Sequence, residues 1–245
     1  PTRRSSDLKD KVRIVPTACG GGFGGKLDVS IQPILAVAAM KTDRPVACVY
    51  ERPESMASST KRHPSNIDAS FGCDENGMLQ SANLDAVFDT GAYASWGPTV
   101  AGRVPVHGSG PYFVPNVHVS GKGVFTNAPP CGAFRGFGVP QAAIAHECLM
   151  DDLAAKLNMD RLDIRLKNAI AVGQETATGQ VLTASAGMRP CLEQLQAPWQ
   201  EALQNADEFN AKSDGVMKRG VGIGAMWYGI GKTARSNQST MYVGI

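Results

Sequence analysis

The alternation and spacing of hydrophobic residues along the chain predict a mixture of strands and helices. Strict alternation predicts three strands, at 66–71, 79–88 and 117–125. The sequence Asp-Glu-Asn-Gly at 74–77 is a strong hairpin signal, so the first two of these strands should pair antiparallel. Shorter apolar runs predict three further strands, at 12–16, 45–50 and 220–229.

Apolar residues three or four positions apart predict helices at 29–41, 141–157, 161–168 and 190–205. The longest helix should pack on the core through a continuous apolar stripe, formed by Ala142, Ala145, Leu149, Leu153 and Leu157. Asp160 precedes the third helix and is a typical N-cap residue. Residues 89–115, rich in glycine, proline and aromatic side chains, predict a long loop with a function. Together these elements predict an α+β fold, with antiparallel and mixed sheets packed by helices.

The composition is that of an ordinary globular protein with room for a core: 245 residues, 43% hydrophobic and 19% charged. Lys and Arg number 24 against 22 Asp and Glu, and no basic stripe is present, so nucleic acid is not an expected partner. No apolar run approaches the roughly 18 to 20 residues of a membrane span. The six cysteines contain no C-x-x-C pair, which predicts free thiols in a reducing compartment, and we expect the cytoplasm.

A glycine loop, residues 20–26, lies between a predicted strand and a predicted helix and reads Gly-Gly-Gly-Phe-Gly-Gly-Lys. It satisfies the spacing of a P-loop, but Leu27 stands where a hydroxyl should hold magnesium. It also satisfies the dinucleotide-binding spacing, with Glu51 as a ribose ligand, although a hairpin rather than further β-α units follows. A third interpretation is that the backbone amides cradle an anionic or bulky ligand while Phe23 packs against it. A non-catalytic nucleotide-binding module that uses glycines 20–25 therefore stays open as an alternative.

A second glycine-flanked segment adds a resemblance to a known family. Residues 132–141 read Gly-Ala-Phe-Arg-Gly-Phe-Gly-Val-Pro-Gln. Together with the glycine loop they are similar to the molybdenum hydroxylases, which include xanthine dehydrogenase and aldehyde oxidoreductase. The likeness runs from about Lys11 to Ile245, with weaker matches at 41–46, 62–64 and 159–169. It implies the α+β fold of the first molybdenum-cofactor-binding domain of the family's large, molybdopterin-binding subunit.

The resemblance also implies a function. It implies a molybdopterin-dependent oxidoreductase that oxidises an aldehyde or N-heterocycle, with water as oxygen source and hydride transfer to a molybdenum sulfido group. Xanthine or purine oxidation is the alternative within the family. Purine-oxidising members carry a glutamate where this chain has Leu27. An apolar residue cannot replace that polar contact, so Leu27 argues against xanthine.

The resemblance assigns roles to eight residues. Those expected to bind the cofactor are Gly22, Phe23, Gly24, Gly25 and Arg135. Those expected to line the substrate pocket are Leu27, Arg103 and Phe137. None of them is expected to coordinate the metal directly. The general-base glutamate is expected C-terminal to this chain, so no catalytic residue is assigned within it.

The implied cofactor is molybdenum-molybdopterin, with the cytosine dinucleotide as one alternative form. Clusters of the 2Fe–2S type, and FAD where it is used, are expected on other domains or on partner iron-sulfur and flavin subunits. Residues 1–10 are expected to be a non-native or disordered leader. Residues 11–210 should form the first molybdopterin-binding domain, and residues 211–245 the truncated start of the second. We therefore expect the chain to be an incomplete and inactive fragment that works with the rest of the same large subunit.

These interpretations make a spatial prediction. The family resemblance requires Phe23 and Arg135 to be neighbours, and the loops 19–27, 97–112 and 128–138 to converge. The nucleotide-binding alternative instead requires Glu51 beside the glycine loop. His146 is expected to be a packing histidine and Cys131 an inert thiol.

Overall fold

The computed structural model describes residues 12–229, so the leader predicted at 1–10 and the last part of the segment 211–245 lie outside the described residues. Within that range the chain forms eight helices and three strands. The helices are α1 (Gln32–Thr42), α2 (Arg52–Ser58), α3 (Gly97–Ala101), α4 (Val104–His107), α5 (Val139–Lys156), α6 (Arg161–Asn168), α7 (Met188–Glu193) and α8 (Gln196–Lys212). The strands are β1 (Ser65–Cys73), β2 (Leu79–Gly91) and β3 (Asn116–Phe125).

The first two strands form the predicted hairpin in a sheet of order β1-β2-β3. The Asp74 N–H donates to the Met78 carbonyl and the Gly77 N–H to the Asp74 carbonyl, each at 3.0 Å. The Asp74 carboxylate also accepts from the Asn76 and Met78 N–H groups. Gly77 has a φ of 78°, which favours glycine at this position of a tight turn. The hairpin prediction is confirmed.

The third strand pairs with β2 in parallel, which makes the sheet mixed. Asn116 Nδ2 donates to the Gln80 carbonyl at 2.9 Å, and the Thr126 N–H donates to the Gly91 carbonyl at 3.1 Å. Residue numbers therefore rise together along both strands. A parallel pair needs a crossover connection rather than a turn, and here the crossover is residues 92–115.

The crossover corrects the long loop predicted at 89–115, because it contains α3 and α4. Its glycines and prolines indicated a loop, yet Gly97 begins α3 and Pro105 lies in the first turn of α4. Proline is tolerated there because the first-turn N–H groups have no partner within the helix. The predicted loop-forming residues are in fact residues that start short helices.

Three predicted strands are wrong, since residues 12–16, 45–50 and 220–229 have no strand within the described range. Their apolar side chains are largely solvent-exposed in the first two runs, with Val15 at 69% and Val49 at 80%. A strand is stable only when a neighbouring backbone accepts and donates its hydrogen bonds, and an apolar run cannot specify that neighbour.

Helix positions agree with the sequence except at two places. α1 begins at Gln32 rather than at 29, with Pro33 in its first turn. The helix predicted at 190–205 is two helices, α7 and α8. Pro198 has no N–H to donate to the Gln194 carbonyl, so one continuous helix through 194–198 would lose a hydrogen bond.

The described chain divides into two compact units, each treated separately below. The first, the glycine-loop unit, comprises residues 12–64, 88–100 and 123–137. The second, the helical unit, comprises residues 65–87, 101–122 and 138–229. In the part of the chain that the structure describes, no helix is both long and apolar enough to cross a membrane.

The helical unit contains the larger core, in which α5 packs on β1, α4 and α6. Buried apolar side chains form its main cluster: Leu79, Ala82, Tyr112, Val114, Met150, Leu153, Ala154, Ile164 and Ala225. The buried face of α5 is rotated from the predicted stripe, because His146 and Met150 are fully buried while Ala145 and Leu149 are not. A second cluster around Trp199 joins α6 to α8.

A buried ionic network lies inside this core. Arg165, whose side chain is fully buried, donates from Nε to Glu147 at 2.8 Å and pairs with Asp151 at 2.8 Å. The Tyr112 hydroxyl donates to the other Glu147 oxygen at 2.6 Å. The Ala225 N–H also donates to Glu147, so this one carboxylate joins α5, α6, the crossover and the segment near 225. Burial, with the adjacent Glu147 charge, raises the pKa of Tyr112.

Candidate functional site

The glycine loop has a backbone that few residue types can adopt. Gly21, Phe23 and Gly24 have φ values of 143°, 48° and 85°. The loop is closed by hydrogen bonds from the Gly25 N–H to the Gly22 carbonyl at 3.0 Å and from the Leu27 N–H to the Gly24 carbonyl at 3.3 Å. Phe23 holds a left-handed conformation that is strained for a side chain of its size, and such strain is typical of functional loops. Phe23 is 61% exposed.

Lys26 turns back onto the loop from its far end. Its ammonium group donates to the Gly21 carbonyl at 2.7 Å and lies 3.0 Å from Cys19 Sγ. The hydrogen bond from Lys26 lowers the pKa of the Cys19 thiol. The P-loop interpretation needs this lysine to reach a phosphate, whereas here it closes the loop on itself.

The second glycine-flanked segment also turns sharply. Gly136 and Phe137 have φ values of 88° and 52°. The Phe137 N–H donates to the Phe134 carbonyl at 2.7 Å. Phe137 is half-buried, and its ring meets the Trp96 ring edge-on, with centroids 6.1 Å apart.

The two segments meet within the glycine-loop unit. The Arg135 Cζ lies 5.5 Å from the centroid of the Phe23 ring. A Cβ on Gly24 would stand 3.0 Å from the backbone of Ala133 and Phe134. Only glycine allows that approach without displacing the backbone. The neighbours that the sequence analysis required are therefore neighbours in the structure.

Asp28 holds the end of the glycine loop in place. Its two carboxylate oxygens accept from the Thr60 hydroxyl at 3.0 Å and from the Ser95 hydroxyl at 2.7 Å. A Cβ on Gly132 would stand 2.6 Å from the same carboxylate. Sequence reasoning missed Asp28, Thr60 and Ser95, because single hydroxyls remote in sequence carry no pattern. The same residues line a cavity of about 280 Å³ beside Gly25.

The three residues expected in a substrate pocket are divided between the units. Leu27 and Phe137 belong to the glycine-loop unit, and Leu27 is 58% exposed at the end of the glycine loop. Arg103 belongs to the helical unit, where its Cζ lies 5.3 Å from the Tyr228 ring centroid. Because residues 97–112 are divided between the two units, the predicted convergence of all three loops stays a prediction.

The donors at the meeting of the two segments suit a ligand with negative charge or oxo groups. Within residues 12–229 no carboxylate pairs with the exposed Arg135 guanidinium, and no group accepts a hydrogen bond from the Phe23 or Gly24 N–H. A guanidinium, two backbone amides and an exposed aromatic face therefore lie together with their donors uncommitted. A planar group that carries anionic or oxo acceptors fits this set.

The structure gives the nucleotide-binding alternative no βαβ unit. The residues on either side of the glycine loop and its helix, 12–16 and 45–50, are not strands in the described chain. Glu51 is used locally as the N-cap of α2, in a capping box with Glu54 at 2.9 Å. Dinucleotide recognition in this fold needs a strand before the loop and an acidic residue after the next strand.

Residues 8–169 match a family described as the molybdopterin cofactor-binding domain. The chain belongs to this family. It is 51% identical over 186 residues to the nicotinate dehydrogenase large molybdopterin subunit of Eubacterium barkeri, a match that covers 76% of this chain and 44% of that protein. It is 34% identical over 220 residues to the xanthine dehydrogenase molybdenum-binding subunit of Escherichia coli O157:H7, a match that covers 89% of this chain and 29% of that protein.

Among solved structures, the molybdopterin-binding chain is similar to the aldehyde oxidoreductase from Desulfovibrio gigas. The TM-score is 0.73 at 36% identity, over 77% of this chain and 21% of that chain. The family and the α+β fold expected from the sequence are confirmed. The chain spans less than half the length of these relatives, so the activity of the whole protein is a matter for proposal.

Proposed function

We propose that this chain supplies one part of the cofactor site of a molybdenum-dependent hydroxylase. The observation that carries the proposal is the contact of Arg135 with Phe23, two residues remote in sequence whose segments pack backbone to backbone at Gly24. Molybdopterin combines a planar ring system with oxo, sulfur and phosphate acceptors. That chemistry matches an aromatic face beside a guanidinium and uncommitted amides.

In this proposal the chain binds and orients the cofactor, and does not itself transfer the substrate's electrons. The amides of Gly22, Phe23, Gly24 and Gly25 line the cofactor, and Arg135 donates to acceptors at its metal end. When bound, the molybdenum group supplies the two-electron oxidation that introduces an oxygen atom from water. The Arg135 guanidinium is charged throughout the physiological pH range, so it is a fixed positive group for negative charge that develops in the reaction.

We propose an N-heterocycle as the substrate, with an aldehyde as the alternative. Leu27 presents an apolar side chain where purine-oxidising members place a glutamate. The identity of 51% with a nicotinate dehydrogenase subunit, against 34% with a xanthine dehydrogenase subunit, favours the same choice. Phe137 and Arg103 are the other residues proposed to contact the substrate.

The remaining parts of the enzyme follow from the family. The general-base glutamate comes from outside this chain, which provides a first molybdopterin-binding domain at 11–210 and the start of a second at 211–245. Clusters of the 2Fe–2S type, and FAD where it is used, sit on other domains or subunits. The cytosine dinucleotide form of the cofactor and a cytoplasmic location stay predictions.

The test uses the complete enzyme that contains this chain, purified with the subunits that accompany it. Molybdenum is measured by mass spectrometry, and kcat/KM is measured with pyridine carboxylates, aldehydes and purines. We expect bound molybdenum, and a kcat/KM for an N-heterocycle or aldehyde about tenfold or more above that for xanthine. An enzyme without molybdenum would contradict the proposed function, and preferred turnover of xanthine would contradict the substrate.

A substitution at Leu27 tests the substrate assignment directly. Leu27→Glu restores the polar contact, so kcat/KM for xanthine should rise relative to that for the N-heterocycle, by about tenfold. Val29→Glu adds the same charge at a 72% exposed apolar position nearby and should leave the ratio unchanged. Equal responses of the two variants would mean that Leu27 does not face the substrate.

A further inference from the structure

Arg62 touches the segment that carries Arg135. Its Nη2 donates to the Arg135 carbonyl oxygen at 2.6 Å. Its Cζ lies 4.7 Å from the centroid of the Phe134 ring. One guanidinium therefore contacts both the backbone of Arg135 and the side chain before it, although 73 positions separate residues 62 and 135.

The backbone beside Arg62 is fixed against the same segment. The Gly132 N–H donates to the Lys61 carbonyl at 3.0 Å, and Lys61 and Cys131 form an isolated parallel bridge. The Cys131 N–H donates to the Thr90 carbonyl, at the end of β2, at 3.0 Å. Arg62 thus extends from a rigid base to the next peptide groups along, those of 134 and 135.

The position of Arg62 is unfavourable for packing alone. Its Nη1 is buried and has no hydrogen-bond partner among the described residues. Burial also lowers the pKa of this arginine. A flexible apolar side chain such as methionine would cover Phe134 without leaving a buried donor unsatisfied. What an apolar side chain cannot supply is the hydrogen bond to the Arg135 carbonyl.

That hydrogen bond controls the residue the proposed function depends on. Gly136 and Phe137, which follow Arg135, have positive φ values, so the chain turns immediately after it. Without a fixed carbonyl at 135, the peptide between Arg135 and Gly136 could rotate and carry the Arg135 side chain away from Phe23. The planar Arg62 guanidinium can stack on Phe134 and donate in its own plane at once, which a lysine cannot do.

We propose that Arg62 is a positioning residue of the cofactor site, which holds the Phe134–Arg135 backbone so that the Arg135 guanidinium lies over Phe23. The proposal rests on the proposed function, because it assumes that Arg135 binds the cofactor. Arg62 acts through Arg135 and needs no contact with the cofactor itself.

The test compares four variants of the holoenzyme: Arg62→Met, Arg62→Lys, Arg135→Met and the double Met variant. The main readouts are molybdenum and pterin bound per purified subunit and the molybdenum EPR signal, neither of which requires turnover. We expect each single Met variant to lower cofactor occupancy about tenfold or more. The double variant should be no lower than the worse single variant, because both changes remove one arrangement. Arg62→Lys should bind an intermediate amount and alter the EPR signal.

Arg44→Met is the matched control. Arg44 is an exposed arginine of the same unit for which the described chain shows no hydrogen bond or ion pair, so its occupancy should equal the wild-type value. The thermal midpoint of each variant separates loss of cofactor from loss of fold.

The outcomes separate the two proposals. A wild-type enzyme that binds no molybdenum overturns the proposed function and this inference with it. If the wild type binds molybdenum and Arg135→Met loses it, but Arg62→Met keeps full occupancy, the positioning role is overturned and the proposed function stands. Should Arg62→Met fail to fold, Arg62→Lys decides, and wild-type occupancy with an unchanged EPR signal in that variant overturns the role. Strictly additive losses in the double variant would also overturn it.

Discussion

Gly24 is the residue at which the two glycine-flanked segments come closest. Its φ of 85° is a conformation that L side chains rarely adopt, and a Cβ there would press on the Ala133 and Phe134 backbone at 3.0 Å. The neighbouring atoms are main chain, so they cannot move aside as the end of a long side chain can. Both the conformation and the space at this position therefore require glycine.

Gly24→Ala should destabilise the protein by about 1–2 kcal/mol, from the left-handed conformation alone, and lower the bound molybdenum further by displacing Arg135 from Phe23. Chemical denaturation measures the first effect and metal analysis of the holoenzyme the second. Gly20→Ala is the control, since no atom lies within 4 Å of the place that its new methyl group would take. If Gly24→Ala keeps wild-type stability and occupancy, the close contact of the two segments does not matter to the site.

At the scale of elements, Asp160 joins two helices. Its carboxylate caps α6 by accepting from the Leu162 N–H at 2.7 Å and the Asp163 N–H at 3.2 Å. It also accepts from Trp199 Nε1, on α8, at 2.9 Å. Trp199 is buried, so the indole N–H depends on this partner.

Asp160→Ala should therefore lower the free energy of unfolding by about 2–3 kcal/mol, about 1 from the cap and the rest from the unpaired indole N–H. Asp160→Asn retains a capping oxygen and should cost less. Asp152→Ala, on the less buried side of α5, is the control and should stay within about 0.5 kcal/mol of wild type. A loss no greater than the control's would show that the carboxylate does not join α6 to α8.

For the molecule as a whole, buried histidines make stability depend on pH. His63, His107 and His146 are buried, and burial lowers the pKa of each below the ordinary 6.5. Below that pH the unfolded chain binds protons that the folded chain excludes. The stability from these groups is thus fully present above about pH 6.5 and is lost as the pH falls.

The free energy of unfolding should accordingly decrease between about pH 6.5 and 5, with each histidine adding at most about 1.4 kcal/mol per pH unit. Urea titrations at several pH values measure the slope. His146→Gln should reduce the slope whatever it does to absolute stability, whereas His118→Gln, at a 70% exposed side chain, should not. A slope unchanged by His146→Gln would mean that His146 is not held neutral.

Local patterns predicted the parts of the fold whose partners are close in sequence. The hairpin of β1 and β2, the helices α5 and α6 and the Asp160 cap all depend on residues within a few positions of one another. The strands expected at 12–16, 45–50 and 220–229 failed because pairing needs a distant backbone. The parallel pairing of β3 with β2, and the helices α3 and α4 in the crossover, were missed for the same reason.

The candidate site divides in the same way. Reading along the chain was enough to identify the family, the two glycine-flanked segments and the pair Phe23 and Arg135, because those are properties of short ordered motifs. The folded chain was needed to show that Asp28 is held by Thr60 and Ser95, and that Arg62 bonds the Arg135 carbonyl. Hydrogen bonds between residues far apart in the chain follow from how the backbone is folded, and one-dimensional spacing contains no record of them.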